Sequence, residues 1–363
     1  MTNLITKFRH LNRKRNLKTK AFKLRLRIIA ADTFFRQRTS LPSNPKTVLI
    51  MMIGKGIGDA IVMTGLIKAL TDNGLQVSVL TEPRLNAIFS DHPLIQNQFL
   101  LKRDNSDFLT ISKIKNSHYD ILIDIDDIDI HSPLRVKTIK RCKPTHTIGV
   151  NQFAKVYNTS INHIDKTKHI TERHMAVARM LGCCTDKLKY TVKFTQADEI
   201  AAMQFIDVIN PSKLIILNPY GTEESRNMSI NQIEQLCSLL KQRLNVITVI
   251  IGTPDKIISI PDNQHCIKFL SQNFSHAVAL VRLADLVVST DTSIVHLCNA
   301  LNKKLVSLYN NKISPRGEEN NILWGPNYSK AVQLFSGGNR IDEILPVDIV
   351  RAIEDLLCTN PDG

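Results

Sequence analysis

The chain has 363 residues, with 47 Lys+Arg against 33 Asp+Glu, 43% hydrophobic and 22% charged residues, a composition that excludes disorder throughout. At roughly 150 residues per domain the length suggests two domains, each able to bury its own core without staples. The net charge of +14 is local, because residues 1–40 hold twelve Lys/Arg and one acid, Asp32, which gives +11 there and +3 over the body.

Residues 1–40 read as a basic, partly amphipathic helix in which Leu4, Phe8, Leu11, Leu17, Phe22, Leu24, Ile28 and Ile29 stand among Lys and Arg. That mixture favours a helix lying on an anionic membrane surface. A solvated arm and a nucleic-acid contact are the alternatives, the second the weaker because no nucleic-acid-binding module follows. The prolines of LPSNP (41–45) break the helix and act as a hinge. TVLIMMI (47–53) is a buried strand, DAIVMTGLIKAL (59–70) has helical spacing, and QVSVLT (76–81), YDILIDI (119–125) and THTIGV (145–150) are further strands. HITERHMAVARMLGC (169–183) closes this half as a helix.

A second series runs from KLIILNP (213–219) through a helix at 229–243, NVITVIIG (245–252), HCIKFL (265–270), a helix at 275–283, DLVVST (285–290), a helix at 292–301 and KKLVSLY (303–309), before a last helix at 346–358. Strand–helix alternation of this kind gives parallel sheets covered by helices, here two Rossmann-like halves facing across a cleft. No stretch reaches the roughly 18 apolar residues of a membrane span, and residues 1–40 lack the apolar run of a secretory signal. Seven cysteines without a C-x-x-C pair suit reduced thiols in a cytoplasmic protein and no structural metal.

Three strand-to-helix junctions can carry chemistry. In GKGIGDAIVMTGLIKAL (54–70), Gly54, Gly56 and Gly58 let the backbone approach a ligand, and Asp59 stands at the helix start either as N-cap or as a carboxylate aimed into the cleft as a base. The spacing is not the dinucleotide fingerprint, whose third glycine falls at Asp59, nor a Walker A loop. In DLVVSTDTSIVHLCNAL (285–301), Asp291, Thr292 and Ser293 open a helix whose free N–H groups suit a phosphate; the alternative is that Asp291 is only the helix cap and His296, in the first turns, a satisfied histidine. In ILNPYGTEESRN (216–227), Asn218 ends a strand and Arg226 either bridges phosphate oxygens or is a solvated surface arginine. DIDDIDIH (124–131) has a D-x-D pattern, read here as solvated carboxylates leaving a strand rather than a metal site.

Taken in this order, the junctions resemble the lipopolysaccharide heptosyltransferases of glycosyltransferase family 9, on the strength of VLIMMIGKGIGDAIVMTGLIKAL, HYDILIDI, LNPYGTEESRN and STDTSIVHLCNAL. The resemblance covers residues 46–358 and implies an α/β GT-B fold: a basic arm and linker (1–45), an acceptor domain (46–195), a nucleotide-sugar domain (196–345) and a C-terminal helix and tail (346–363). It implies transfer of a heptose from ADP-L-glycero-β-D-manno-heptose to the lipopolysaccharide inner core, with inversion and with no metal or other cofactor. Asp59 matches the family's base; Arg226 stands in place of a lysine that neutralises the donor diphosphate; and Asn218, Asp291, Thr292, Ser293 and His296 match donor-binding positions. Ser293 replaces a usual Gly, and Met228 stands where an aromatic is common. The implied partners are the nucleotide sugar, a lipid-linked core oligosaccharide and, through residues 1–40, the inner face of the cytoplasmic membrane, with no nucleic acid. Transfer of a hexose from another nucleotide and a non-catalytic binding paralogue are the rival readings.

Overall fold

The computed structural model describes residues 2–33, 39–102, 104, 107–162, 165, 167–261, 263, 265–312 and 319–358. The alternation forms two six-stranded, all-parallel sheets. The first holds β1 (Thr47–Met52), β2 (Gln76–Thr81), β3 (Gln98–Leu100), β4 (Ile121–Asp124), β5 (His146–Val150) and β6 (Thr159–Ile161), in the order β3-β2-β1-β4-β5-β6. The second holds β7 (Ile215–Asn218), β8 (Thr248–Ile250), β9 (Cys266–Lys268), β10 (Leu286–Thr290), β11 (Lys304–Tyr309) and β12 (Ala331–Phe335), in the order β12-β11-β10-β7-β8-β9. Each half therefore begins at its sheet centre and reverses direction there, which opens a crevice at the carboxyl ends of β1 and β4 and of β7 and β10.

The central strands are continuous apolar runs because helices cover both faces. Helix Ile57–Asp72 follows β1 and packs against β2, and helix Ser293–Ala300 follows β10. These two helices also pack on each other across the halves. One apolar cluster accordingly joins Val48, Ile50 and Leu66 of the first half to Ile216, Val287 and Val295 of the second. Outside the expected set lie β3, β6 and β12 and the helices Asp107–Asn116, Ser132–Cys142 and Gln196–Ile209. The last of these has a readable start: Thr195 Oγ1 accepts from the Asp198 N–H at 3.1 Å, and the Asp198 carboxylate accepts from the Thr195 N–H at 2.7 Å.

The basic arm is a helix, Thr2–Ala31, that stops well before the prolines expected to break it. Its end is tied to the first half: Leu24, Ile28 and Ala31 join a cluster with Leu49, Met51 and Ile53. Lys140 Nζ donates to the Ala31 carbonyl at 3.0 Å, and the Asp32 carboxylate accepts from the Lys155 and Val156 N–H groups at 2.5 and 3.2 Å. Phe22, Leu26 and Ile29 stay exposed, at 63%, 49% and 51%. Part of the expected 1–40 segment, residues 34–38, lies outside the described residues.

Candidate active site

The turn after β1 is built by glycine for two different neighbours. Gly54 has φ +79°, and a Cβ there would lie 2.4 Å from the His131 ring; its N–H donates to Glu82 at 2.8 Å. Gly58 faces the other half: a Cβ would lie 3.0 Å from the His296 ring and 3.6 Å from Ser293 Cα. Close helix packing across the halves accounts for this glycine as directly as ligand approach does. The N-cap of helix Ile57–Asp72 is Gly56, not Asp59. Asp59 is its capping-box partner, accepting from the Gly56 N–H at 3.1 Å. One carboxylate oxygen holds the helix start, while the side chain still reaches two cavities.

Beside Asp59, Lys55 Nζ lies 3.5 Å from Asp59 and 2.5 Å from Asp126. Burial opposes its charge, but the carboxylates of Asp126 and Asp59 outweigh it and hold the ammonium above its ordinary range. Burial likewise pushes the Asp126 carboxyl up, with Lys55 opposing. The acids of DIDDIDIH, expected to be solvated, are instead buried at Asp124 and Asp126 and only partly exposed at Asp127 and Asp129. Asp124 is fully buried, accepting from Arg135 Nε at 3.0 Å and from the Tyr157 hydroxyl at 2.5 Å. Arg135, itself 0% exposed, also reaches Asp129 at 2.9 Å. These carboxylates leave the strand into protein because a buried guanidinium needs them.

In the second half, Asn218 at the end of β7 is buried and donates to Ser289 Oγ at 3.0 Å and Thr292 Oγ1 at 2.8 Å. Thr292 is the N-cap of helix Ser293–Ala300, its hydroxyl accepting from the Ile294 N–H at 3.3 Å. Asn218 thus fixes the cap. Asp291, the other candidate for that cap, instead pairs with Arg226 at 3.1 Å and accepts from Asn320 at 3.2 Å. Burial raises its carboxyl pKa, and Arg226 pulls it back. His296 is buried, and burial lowers its ring to about 4. Its ring meets the edge of Trp324 with centroids 6.1 Å apart.

Asn218, Arg226, Asp291, Thr292, Ser293 and His296 all line one cleft of about 780 Å³, and Gly56, Gly58 and Asp59 reach it from the first half. Gly54 does not line it. A second cavity, of about 110 Å³, opens on the other side of Asp59 between Lys55, Asp126, Arg173, His174 and Trp324. Asp59 and Trp324 therefore belong to both. Sequence reasoning passed over Lys55, although it lies inside the glycine turn, as well as Lys256, Arg173 and Trp324. Lys256 lines the large cleft and donates to the Gly221 carbonyl at 2.6 Å.

Cations and helix N–H groups on one wall of a large cleft can hold a diphosphate. A carboxylate on the facing wall can take a proton from a hydroxyl presented by the second cavity. The family model of glycosyltransferase family 9 (heptosyltransferase) matches residues 110–334, more than half of the chain. The chain belongs to glycosyltransferase family 9. It is therefore a heptosyltransferase-like glycosyltransferase. The match begins after Asp59, so the assignment of that residue rests on the local motif and on its geometry.

A curated relative, the Escherichia coli K12 protein named "Putative lipopolysaccharide heptosyltransferase 4", is 22% identical over 325 residues, 87% of this chain and 89% of that protein. Among solved structures, a family 9 glycosyl transferase from Veillonella parvula superposes with a TM-score of 0.72 at 15% identity, covering 88% of this chain and 99% of its own. Escherichia coli ADP-heptose LPS heptosyltransferase II gives 0.69 at 15% identity, over 86% of this chain and 98% of its own. Escherichia coli heptosyltransferase WaaC with ADP gives 0.66 at 15% identity, over 85% and 99%. These likenesses carry the fold, which is GT-B.

Proposed function

We propose that the chain transfers a heptose from ADP-L-glycero-β-D-manno-heptose to the inner core of lipopolysaccharide, with inversion at the anomeric carbon and without a metal ion. The observation that carries this reading is the place of Asp59, on the wall between a cleft of about 780 Å³ and a cavity of about 110 Å³. An acceptor hydroxyl on the small side gives its proton to the Asp59 carboxylate as its oxygen bonds to the anomeric carbon. The bond from that carbon to the diphosphate breaks on the opposite face, and ADP leaves. Attack from one side and departure from the other invert the centre.

Charge grows on the departing phosphate, where Arg226, Lys256 and the first-turn N–H groups of helix Ser293–Ala300 would stabilise it. These groups can do the neutralising that a metal ion would otherwise do. Asp291 holds Arg226 in place through their 3.1 Å contact. Support for the donor comes from the family and from a solved structure of WaaC with ADP-2-deoxy-2-fluoro heptose, similar in fold at a TM-score of 0.60 and 17% identity.

We place the reaction at the inner face of the cytoplasmic membrane, where a lipid-linked core is reached from the surface. Among the described residues no helix is long and apolar enough to cross a membrane. The arm offers a surface contact instead. Phe22, Leu26 and Ile29, spaced four and three residues apart, share the helix face turned from the protein and stand among Lys and Arg.

The test is ADP release and product mass with purified protein, ADP-heptose and a heptose-deficient core acceptor, with UDP-hexoses as comparison donors. Transfer from ADP-heptose alone is expected. Failure of ADP-heptose to bind would overturn the donor assignment, and tight binding without transfer would overturn the acceptor.

A further inference from the structure

Three helices form a layer on one face of the first sheet. Helix Ser132–Cys142 packs both on helix Asp107–Asn116 and on the arm, Thr2–Ala31, and all three send apolar residues into the cluster with Leu49, Met51 and Leu122. Together they hold sixteen of the 47 Lys/Arg and one of the 33 acids, Asp107. The remainder of the chain is left at −1, so the net charge of the protein stands in this layer. Arg135 is turned inward and spent on Asp124 and Asp129. Lys113, Lys115, Lys137 and Arg141 are exposed, as are the cations of the arm from Arg15 to Arg27.

The exposed apolar residues of the layer gather at one edge. All strands of a parallel sheet end on the same side, which here is the side of the crevice. Phe108 and Leu109 open the helix after β3, and Thr110 Oγ1 fixes that first turn to the strand end by donating to the Leu100 carbonyl at 3.1 Å. Ile130 lies on the loop after β4, and Phe153 on the loop after β5; the four side chains are between 39% and 74% exposed. Asp127 and Asp129, on the loop of Ile130, line the small cavity beside Asp59. Asn151, two residues before Phe153, donates to Asp127 at 2.7 Å. The arm reaches the same edge, because Arg25, which shares a helix face with Phe22 and Leu26, lies over the Phe153 ring at 5.0 Å from its centroid.

An apolar rim backed by cations and a single acid fits the surface of an anionic bilayer, whose headgroups answer the charge and whose acyl boundary takes the Phe, Leu and Ile side chains. Nucleic acid would answer the charge but not the rim, and a second copy would bring the same positive charge against it. We propose that the acceptor half itself rests on an anionic bilayer through this layer, with Phe108, Leu109, Ile130 and Phe153 seated among the headgroups, so that the crevice opens at the lipid surface. The arm is then one part of a wider contact. This rests on the membrane site of the reaction proposed above and extends it from the arm to the body of the protein.

The full chain is sedimented at physiological ionic strength with vesicles of phosphatidylglycerol and phosphatidylethanolamine, and with vesicles of phosphatidylcholine alone. Wild type is expected on the first and not on the second. Phe108→Ser, Leu109→Ser and Ile130→Ser combined, with the arm untouched, should weaken partitioning by at least about tenfold and, since these side chains are exposed, leave the melting temperature unchanged. Should that variant fail to fold, Lys113→Glu, Lys137→Glu and Arg141→Glu combined should give a loss of the same size. A rim variant that sediments like wild type, while replacement of Phe22, Leu26 and Ile29 abolishes binding, would overturn this proposal and leave the arm as the whole contact. A wild type that ignores both vesicles would overturn the arm contact as well. Equal binding to the neutral vesicles, displacement of the anionic vesicles by duplex DNA that the rim variant still binds, or a dimer in solution that the rim substitutions split would each overturn it, the last two by assigning the layer to nucleic acid or to a second copy.

Discussion

Asp59 does two things in this structure, and a pair of substitutions separates them. Asp59→Asn keeps a side-chain oxygen that can accept from the Gly56 N–H, now 3.1 Å away, but removes the base. Asp59→Ala removes both. Losing the cap contact costs about 1 kcal/mol, and the part-exposed Lys55 pair at 3.5 Å adds well under about 1 kcal/mol. Lys55 retains Asp126 at 2.5 Å in either variant, so it is not left as an unpaired buried charge.

Loss of the base should cost about 10²- to 10⁴-fold in rate, which is about 3–5 kcal/mol of barrier at ~1.4 kcal/mol per decade. Stability and rate therefore part company. Thermal melting should place Asp59→Asn near wild type and Asp59→Ala lower by about 2 °C. ADP release in the presence of acceptor should fall by about 10² or more in both. Transfer by Asp59→Asn within about threefold of wild type, with Asp59→Ala impaired, would refute the base and leave Asp59 as a helix cap.

Three further outcomes follow from other parts of the molecule. Gly54→Ala places a side chain at φ +79° and 2.4 Å from the His131 ring, so it should destabilise by about 1 kcal/mol or more in urea melts; an unchanged midpoint would mean that the turn relaxes freely. Burial holds His174 near 3 and His296 near 4, below the ordinary value of about 6.5. The unfolded chain then binds more protons between those values, so stability is full above about pH 6.5 and falls as pH drops toward 4; a melting temperature flat from pH 8 to 4 would contradict this. Replacing Phe22, Leu26 and Ile29 together by Ser should abolish sedimentation with anionic vesicles and spare turnover of a soluble acceptor, and undiminished sedimentation would move the lipid contact elsewhere.

The centre of each sheet was legible because TVLIMM and LVVST are buried on both faces and read as unbroken apolar runs. Strands β3 and β12 are edge segments of intermediate burial, QFL and AVQLF, and carry no such run. Helix Ser132–Cys142 reads as a polar, basic segment, although Arg135 is entirely inside. Its burial depends on Asp124 and on Tyr157, whose hydroxyl bonds the same carboxylate, and local sequence does not disclose such partners. The donor-side candidates were legible as junctions, but their division of labour was not. Asn218 holds Ser289 and Thr292 from more than seventy residues away, and Asp291 serves Arg226 rather than capping the helix. Lys55 escaped notice for the same reason, since its closest partner, Asp126, lies on the loop after another strand.

The apolar cluster that runs from Val48 and Leu66 into Val287 and Val295 ties the two halves into one thermodynamic unit. Calorimetry should register a single melting transition, and a nucleotide seated in the second half should slow hydrogen exchange in helix Ile57–Asp72 of the first. Gly58 abuts His296 and Ser293 where the halves meet, so any side chain added there would press on the donor half and on the acceptor half at once.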